Sequence, residues 1–395
     1  MVTQWQVTTL KNEIQLAYGK SLPSQNRIVG KYNVYGSNGK VGTHIDFLVK
    51  GPGIIVGRKG SVGEIVFSEK NFWPIDTTYY VVNKNHDWKF LFYFFQTLGL
   101  TELNSHSTIP GLNRENVYEI KVVLPSISEQ KHIALALDHV SLGIKHNDQA
   151  IEKSQELKRA AMRELFTRGL RGEAQKETEV GLVPKNWDVE HIVNNFSVFS
   201  GGTPSRGVAT YWNGGTIPWV KTTEVNYSII YETEECITQT GLENSAAKKF
   251  PVGTLLLAMY GQGITRGKVG ILGIEAACNQ ACAAIQPKNN KINIKYLYYF
   301  LTAQYESIRQ LAHGGQQQNL NLNIVRSLAV PFPNNKDEQR EIAGILESID
   351  QKINLHKRKK AVLEELFKSL LHKLMTGEIR VNELNLSALK KEVMS

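Results

Sequence analysis

Two stretches of the chain place apolar residues at alternating steps of four and three. The first series is Ile133, Leu137, Val140, Ile144, Asn147, Ile151, Ser154, Lys158, Ala161 and Leu165. The second series is Ile342, Leu346, Ile349, Ile353, His356, Lys360, Leu363, Phe367, Leu370 and Leu374. This spacing is a heptad seam with a polar middle. It predicts two α-helices of about 40 residues, each roughly 60 Å long.

The sequence around each helix is repeated. The first helix opens with "SEQKHIALALDHV" and the second with "DEQREIAGILESID". Upstream of them, "KFLFYFF" in the first half corresponds to "KYLYYFL" in the second. A chance match of one helix would not keep its neighbours in the same order. The sequence therefore predicts one unit, a globular half followed by a long helix, written twice.

The repeat suggests how the helices pair. The first helix leaves the first globular half and must arrive at the second, where the other helix begins and returns. We therefore expect an α+β fold with two pseudo-repeated α/β domains separated by two long antiparallel coiled-coil helices. Packing of each stripe within a bundle core is the alternative. The charged middle of the second helix, "HKRKK", is either a solvated face or a set of buried polar positions that fix the register.

Each globular half alternates short β-branched or aromatic runs with glycine turns, which is typical of an α/β domain with an irregular sheet. The predicted segments are a first domain at 1–125, a first helix at 126–170, a connector at 171–186, a second domain at 187–333, a second helix at 334–377 and a C-terminal tail at 378–395.

Polar side chains cluster in glycine-flanked loops at matched positions of the two halves. Bare glycine backbone allows close approach to a nucleic-acid groove, where guanidinium and amide groups reach base edges and Lys, Ser and Thr hold phosphates. Ordinary turn chemistry is the alternative for any one loop, and the recurrence in both halves favours binding. The candidate DNA-binding residues of the first half are Lys20, Ser21, Asn38, Lys40, Arg58, Lys59 and Ser61. Those of the second half are Thr203, Ser205, Arg206, Lys221, Thr222, Thr223, Tyr260, Gln262, Thr265, Arg266, Lys268, Gln316, Gln317 and Gln318.

Composition is compatible with this interpretation without establishing it. Lys and Arg total 46 against 37 Asp and Glu, a formal charge of +9, which suits a polyanionic partner. Three cysteines, an odd number in a long chain, argue against a disulfide framework and for a reducing cytoplasm. Neither a signal-peptide pattern nor an apolar run of membrane-spanning length is visible, so we expect a cytoplasmic protein without a membrane partner.

The sequence shows no enzymatic motif. The loop "GQGITRGK" has the wrong glycine spacing for a P-loop, and Val269 stands where a Ser or Thr is needed. Cys278 and Cys282 have no second pair, so a metal site is not expected. The sequence therefore predicts a reader without catalytic residues, metal or cofactor.

The order of motifs along the chain resembles a known family. The "EQ" helices, the junction "ETEVGLVPKNWDV" and the segments "GGTPSR" and "YWNGGTIPWVKTTEV" are similar to those of DNA-specificity subunits of type I restriction–modification systems. The resemblance implies that 1–125 and 187–333 are target-recognition domains, each reading one half of a bipartite site in double-stranded DNA, with the helices as the spacer. It also implies that adenine methylation with S-adenosylmethionine and restriction belong to separate partner subunits.

The difference between the halves adds to this expectation. Their loops differ strongly while their helices agree, so the target should be asymmetric. The two similar helices should offer docking surfaces to two methyltransferase subunits, besides the restriction/translocase subunits. Two other classes of function stay open at this point: a self-sufficient DNA-modifying enzyme, and a coiled-coil adaptor that binds no DNA.

Overall fold

The computed structural model describes residues 5–103, 111–261, 264–311 and 319–394. The chain divides into two compact units. Unit 1 consists of Met1–Gln149 and His356–Ser395, and unit 2 consists of Ala150–Leu355. Each unit therefore combines one α/β domain with parts of both long helices. No helix within the described ranges is long and apolar enough to cross a membrane.

Unit 1 begins with the first α/β domain. Its strands are β1 (Gln6–Thr9), β2 (Ile14–Tyr18), β3 (Tyr32–Gly36), β4 (Gly39–His44), β5 (Gly53–Gly57), β6 (Ile65–Ser68), β7 (Phe72–Pro74), β8 (Thr78–Asn83) and β9 (Lys121–Leu124). Its helices are α1 (Leu10–Glu13), α2 (Trp88–Phe95), α3 (Arg114–Tyr118) and the first long helix, α4 (Ile127–Arg168), which continues into unit 2. Strands β2, β8, β5 and β6 form one sheet in that order, β4, β3 and β7 form another, and β1 pairs with β9.

Unit 2 repeats this plan after a connector that forms a β-hairpin. Its strands are β10 (Gln175–Thr178), β11 (Gly181–Pro184), β12 (Asp188–His191), β13 (Phe196–Ser200), β14 (Ile217–Val220), β15 (Ile229–Ile230), β16 (Glu235–Ile237), β17 (Lys249–Phe250), β18 (Leu255–Ala258), β19 (Val269–Leu272), β20 (Ala276–Cys278), β21 (Cys282–Pro287) and β22 (Ala329–Phe332). Its helices are α5 (Ile192–Asn195), α6 (Gln239–Glu243), α7 (Ile294–Ala303), α8 (Tyr305–Gln310), α9 (Leu322–Arg326) and the start of the second long helix, α10 (Lys336–Thr376).

The strand orders of the two sheets of unit 1 recur in unit 2, with one extra strand in each sheet. The main sheet of unit 2 runs β13-β21-β18-β19-β15, which repeats β2-β8-β5-β6 and adds one short strand. The second sheet runs β16-β14-β20-β17, in which β14 is parallel to β20 as β3 is to β7. The predicted α+β fold with an internal repeat is therefore confirmed.

The predicted heptad seams are buried. Ile133, Leu137 and Val140 are at most 1% exposed, as are Ile342 and Leu346 in the second helix. The remaining seam positions of both series are buried or half-buried. The stripes follow this period because every fourth or third residue returns to the same side of a helix.

Both units pair the long helices antiparallel. In unit 1, a Cβ on Gly143 of α4 would lie 3.3 Å from Leu363 Cδ1, whereas four residues further along α4 Asn147 meets His356. The contact on α10 thus moves backwards as the contact on α4 moves forwards. In unit 2, Lys158 of α4 pairs with Asp350 of α10 at 2.6 Å. Twelve residues further along the chain, the Leu170 backbone lies beside Glu338, twelve residues back along α10, so the helices are antiparallel here too.

The charged middle of α10 separates into two sets. His356 and Lys360 are half-buried in the seam, and Lys360 Nζ lies 2.6 Å from the Asp148 carboxylate. Lys357 and Arg358 are exposed. Each of the two interpretations of "HKRKK" is therefore correct for part of the segment.

The "EQ" motif recurs because its glutamine joins two helices. In unit 1, Gln130 accepts a hydrogen bond from the backbone N–H of Asp87, the N-cap of α2, at 3.0 Å and donates to the Pro125 carbonyl at 3.0 Å. Gln339 does the same in unit 2, accepting from the N-cap of α7, Asn293, at 2.7 Å and donating to the proline carbonyl at 2.9 Å. Each glutamine fixes the start of a long helix to its own domain.

The C-terminal segment completes unit 1. Arg380 donates to the Glu129 carboxylate at 2.9 Å, and the Trp5 indole donates to the same group at 3.1 Å. The last helix, α11 (Leu386–Met394), packs on α4 so closely that a Cβ on Gly143 would lie 2.2 Å from Val393 Cγ1. Gly143 is therefore needed for close approach of α11.

Candidate nucleic-acid interface

In unit 1, the candidate loops meet at one edge of the main sheet. Strands β2 and β5 both run antiparallel to β8, so their last residues lie beside the first two residues of β8. The backbone N–H groups of Arg58 and Lys59 donate to the Thr77 carbonyl at 2.9 and 3.1 Å. Leu112 donates to the Arg58 carbonyl at 2.9 Å, which brings in the segment before α3. Four separate stretches of sequence therefore share this edge.

Glycine makes the 57–63 loop possible. Gly63 has φ +77°, and a Cβ there would lie 2.4 Å from the Leu100 carbonyl carbon. A Cβ on Gly60 would lie 3.3 Å from Ser37 Oγ, so the loop lies against the β3–β4 turn that carries Asn38. This backbone could not accept side chains at these points without moving its neighbours.

Two arginines flank an exposed tyrosine at this edge, and we call these three residues the unit 1 cluster. The guanidinium carbons of Arg58 and Arg114 each lie 5.3 Å from the centre of the Tyr18 ring, which is 52% exposed. Arg58 also donates to the Asp76 carbonyl from Nε and Nη2, at 3.2 and 2.6 Å. Arg114 also pairs with the Glu115 carboxylate at 3.4 Å. The arginines are thus held in place by aromatic, carbonyl and carboxylate groups, and part of each guanidinium stays at the surface.

The candidates of unit 1 gather around this cluster. Lys20, Ser21, Asn38, Lys40 and Lys59 are exposed, and Arg58 and Ser61 are half-exposed. Among the candidates chosen from the sequence, Tyr18 and Arg114 are missing. Their positions in the sequence could have identified them, because Tyr18 precedes Gly19 and Arg114 follows the α3 cap residue Asn113.

In unit 2, the equivalent edge forms an open cleft of about 340 Å³, the unit 2 cleft. Strands β13 and β18 end here, β21 begins here, and Leu320 donates to the Met259 carbonyl at 3.1 Å, just as Leu112 donates to Arg58. Polar residues that line the cleft are Ser200, Tyr260, Gln280, Asn321, Asn323 and Arg326. Apart from Tyr260, none of these residues is among the candidates listed from the sequence.

The β20–β21 turn positions Gln280 in this cleft. The Thr203 hydroxyl donates to Gln280 Oε1, and Ser200 Oγ donates to the Gln280 carbonyl at 3.2 Å. Arg326 is fixed by hydrogen bonds to the Val198 carbonyl at 3.0 Å and to Asn323 Oδ1 at 3.3 Å. The cleft thus presents amides, a phenol and one guanidinium on a common framework.

The Arg206 side chain contacts residues around its own loop and fixes the conformation of that loop. Its guanidinium carbon lies 3.7 Å from the centre of the Trp212 ring and 4.9 Å from that of Trp219. It also makes a bidentate ion pair with Glu235 at 3.1 and 2.7 Å. The indole N–H of Trp212 donates to the Ser205 carbonyl at 3.1 Å, so both candidates belong to one locked turn.

Lys221 is also paired within the chain. Its ammonium group donates to Glu234, and this hydrogen bond raises the pKa of Lys221. The Lys221 backbone N–H donates to Glu224 at 2.6 Å, which closes the 3₁₀ turn Thr222–Glu224 that contains Thr223. These threonines lie beside four glutamates, including Glu232, in an acidic part of the surface.

The remaining candidates lie in the loop between β18 and β19. Lys268 donates to Asn226 Oδ1 at 2.7 Å, and Thr265 is half-buried. Arg266 is buried, with 8% of its surface exposed, so this conformation does not present it to a groove. Gln262 and the run Gln316, Gln317 and Gln318 lie outside the described residues. The structure thus gathers the candidates of unit 1 at one edge and spreads those of unit 2 over several surfaces.

These features define a class of protein with two repeated α/β domains, paired long helices and matched polar loops at one sheet edge of each domain. The family model described as "Type I restriction modification DNA specificity domain" matches residues 3–155 and 184–365. This match covers most of the chain, and the chain belongs to this family.

Individual relatives agree with this assignment. The MjaIX specificity subunit of a type I restriction enzyme from Methanocaldococcus jannaschii is 32% identical over 206 residues, or 49% of this chain and 46% of that protein. The MjaVIII specificity subunit from the same organism is 27% identical over 308 residues, or 74% and 71% of the two chains. The first match therefore spans about half the length of the relative.

Solved structures share the fold. The S subunit of a type I restriction–modification system from M. genitalium superposes with a TM-score of 0.68 at 18% identity, covering 94% of this chain and 96% of that one. A chain from a structural study of type I complex assembly gives a TM-score of 0.56 at 15% identity, covering 95% and 98%.

Proposed function

We propose that this chain is the DNA-specificity subunit of a type I restriction–modification complex and reads a bipartite site in double-stranded DNA. Each unit reads one half-site through the loops at the edge of its main sheet. The observation that carries the proposal is the equivalence of these edges. The Leu112–Arg58 and Leu320–Met259 hydrogen bonds occupy the same place in both units, although the side chains around them differ.

The chemistry of the two edges supports different half-sites. The unit 1 cluster offers guanidinium groups, which suit the two acceptors on the major-groove edge of guanine. The unit 2 cleft offers Gln280 and Asn323, whose amides match the donor and acceptor of adenine. Two unlike edges on one framework support an asymmetric target.

The long helices are proposed as the spacer between the half-sites. Helix α4 has 42 residues and α10 has 41, so their lengths are closely matched. Such a pair sets a fixed number of base pairs between two readers. Their outer faces are proposed to dock two methyltransferase subunits, and the assembled complex to recruit restriction subunits in the cytoplasm.

The chain itself is proposed to be non-catalytic. Methylation and cleavage belong to the partner subunits in this proposal, and this chain requires no cofactor. Its relatives carry the name of specificity subunits, which supports that division.

The test is reconstitution. The purified chain, its cognate methyltransferase subunit and the mixture are each incubated with host DNA and labelled S-adenosylmethionine, and the modified positions are mapped. We expect methylation by the mixture alone, confined to a bipartite motif. Turnover by the chain alone would favour a self-sufficient enzyme. Equal retention of unrelated DNA sequences by the complex would favour an adaptor.

A further inference from the structure

We infer that unit 1 supplies most of the sequence-independent affinity for the DNA backbone and that unit 2 supplies little of it. This inference rests on the proposed function, because it divides the work of binding between the two readers. It is carried by a difference in charge and in ion pairing between equivalent segments of the two units.

In each unit, the equivalent segment begins with the first strand of the main sheet, β2 or β13. It ends with the loop that follows β5 or β18. In unit 1 this segment is 14–64, and it holds seven basic and two acidic residues. In unit 2 it is 196–268, and it holds six basic and five acidic residues. The basic excess is therefore concentrated in unit 1.

The cations of the unit 1 segment are not used in ion pairs among the described residues. They are Lys20, Arg27, Lys31, Lys40, Lys50, Arg58 and Lys59. The described ion pairs of this domain join other residues, such as Lys89 with Glu69 at 3.4 Å. Where the cations of the segment make hydrogen bonds, the acceptors are neutral carbonyls. Their charge therefore remains available to an anion.

These cations lie on neighbouring loops. Arg27 donates to the Val41 carbonyl of β4 at 2.8 Å, and Lys40 lies on the same strand. The 57–63 loop, which carries Lys59, lies against the β3–β4 turn. All three side chains are exposed or half-exposed, so they form one basic surface beside the unit 1 cluster.

Half of the six cations of the unit 2 segment are neutralised by their own chain. Of the other three, Arg266 is buried, Lys268 donates to a neutral asparagine and Lys248 is exposed. The neutralised three are in ion pairs with glutamates. These pairs are Arg206 with Glu235, Lys221 with Glu234 and Lys249 with Glu275.

This difference in charge should change how DNA binding by each unit depends on salt concentration. Each phosphate that a cation neutralises releases condensed counterions, so the logarithm of the binding constant falls with the logarithm of salt concentration by about 0.9 per contact. A lysine already paired with a glutamate adds little to this slope. Unit 1 should therefore hold the complex on DNA of any sequence, while unit 2 contributes mainly at its own half-site.

The experiment compares two triple variants of the chain. In unit 1 the changes are Lys20→Gln, Lys40→Gln and Lys59→Gln. In unit 2 they are Arg206→Gln, Lys221→Gln and Lys249→Gln, the three cations that are paired with glutamates. The probe is a 40-base-pair duplex of mixed random sequence, and anisotropy titrations at several salt concentrations give the slope. We expect the slope to decrease by about 2–3 for the unit 1 variant and by less than about 1 for the unit 2 variant.

A third variant with arginine at the three unit 1 positions separates charge from folding, because it should restore the parent slope. Equal decreases for the two glutamine variants, a larger decrease in unit 2, or no decrease in unit 1 would each overturn the inference. The proposed function is judged separately, by the methylation map of the parent complex. A bipartite motif together with equal slopes would reject the division of labour alone.

Discussion

Arg58 shows how a single residue acquires a role from its surroundings. Its loop is fixed by glycine backbone and by the Thr77 carbonyl, and its guanidinium is held between the Tyr18 ring and the Asp76 carbonyl. A side chain held in this way loses little conformational freedom when it binds. It is therefore the strongest candidate in unit 1 for contact with a base edge.

We predict that Arg58→Ala weakens recognition of one half-site and leaves the other intact. Loss of a bidentate base contact should cost about 1–3 kcal/mol at that half-site. Methylation rates on DNAs with single substitutions in each half-site measure the effect. Tyr260→Ala in the unit 2 cleft is the matched control and should affect the opposite half-site. A change that degrades both half-sites equally would reject two independent readers.

Two equivalent glutamates lie in different surroundings. Glu129 in unit 1 is paired with Arg380. At Glu338 in unit 2, burial raises the pKa of the carboxyl, and the neighbouring Glu173 acts in the same direction. The native state therefore binds a proton at Glu338 more tightly than the unfolded chain. The unfolding free energy of unit 2 should fall as pH rises from the ordinary value of 4.5 through the raised pKa.

We predict that Glu338→Gln removes this pH dependence. The variant should match the parent near pH 4.5 and become more stable than the parent as the pH rises to 8. Hydrogen–deuterium exchange of the β12–β22 pair measures the stability of unit 2. Glu129→Gln is the control with the opposite sign, because it removes the partner of Arg380 and should destabilise unit 1. A constant difference between parent and Glu338→Gln at all pH values would contradict the assignment.

For single residues, the sequence predicts where a loop lies better than it predicts which of its side chains are exposed. Glycine spacing locates the 57–63 loop, because glycine marks positions where the backbone turns or passes close to a neighbour. The exposure of an arginine depends on residues far away in the sequence. Arg206 stacks on Trp219, and Arg266 is buried in its fold, and no local pattern indicates either outcome. Gln280 lacks a local signal for the same reason.

The long helices are the elements that the sequence predicts most fully. Their heptad spacing is a local property, and both seams are buried as expected. The polar middle has a structural use as well. Asn147 is 5% exposed, accepts a hydrogen bond from His356 at 2.9 Å and donates to the Gly143 carbonyl at 2.8 Å. Such a pair favours one register over its neighbours.

We predict that Asn147→Leu alone destabilises unit 1 by about 1–3 kcal/mol, because it leaves the half-buried His356 without its partner. The double variant Asn147→Leu with His356→Leu should recover that stability, since two apolar residues pack in the seam. Its register should become less specific. Denaturant unfolding of the chain measures the loss of stability in the single variant and its recovery in the double variant. Additive losses in the double variant would show that the pair does not interact.

In the proposed function, one pair of long helices joins the two readers. A four-residue insertion advances a helix by about 400° and lengthens it by about 6 Å, so the apolar stripe nearly keeps its face. We predict that paired insertions beside Asn147 and His356 preserve the helix contact and increase the preferred gap between half-sites by one or two base pairs, given a rise of about 3.4 Å per base pair.

The half-site sequences should not change in the insertion variant, because the reading loops are untouched. Methylation of a series of DNAs that differ only in gap length measures the preference. An active insertion variant that keeps the original gap would show that the helices do not set the spacing.

The central claim is that two unlike edges of one chain read two separated DNA elements. The most direct measurement is methylation of a randomised duplex library by the chain with its methyltransferase subunits, followed by sequencing of the modified molecules. The account predicts a motif of two short, different elements separated by a fixed, unread gap. A single continuous element, or two identical half-sites, would contradict it.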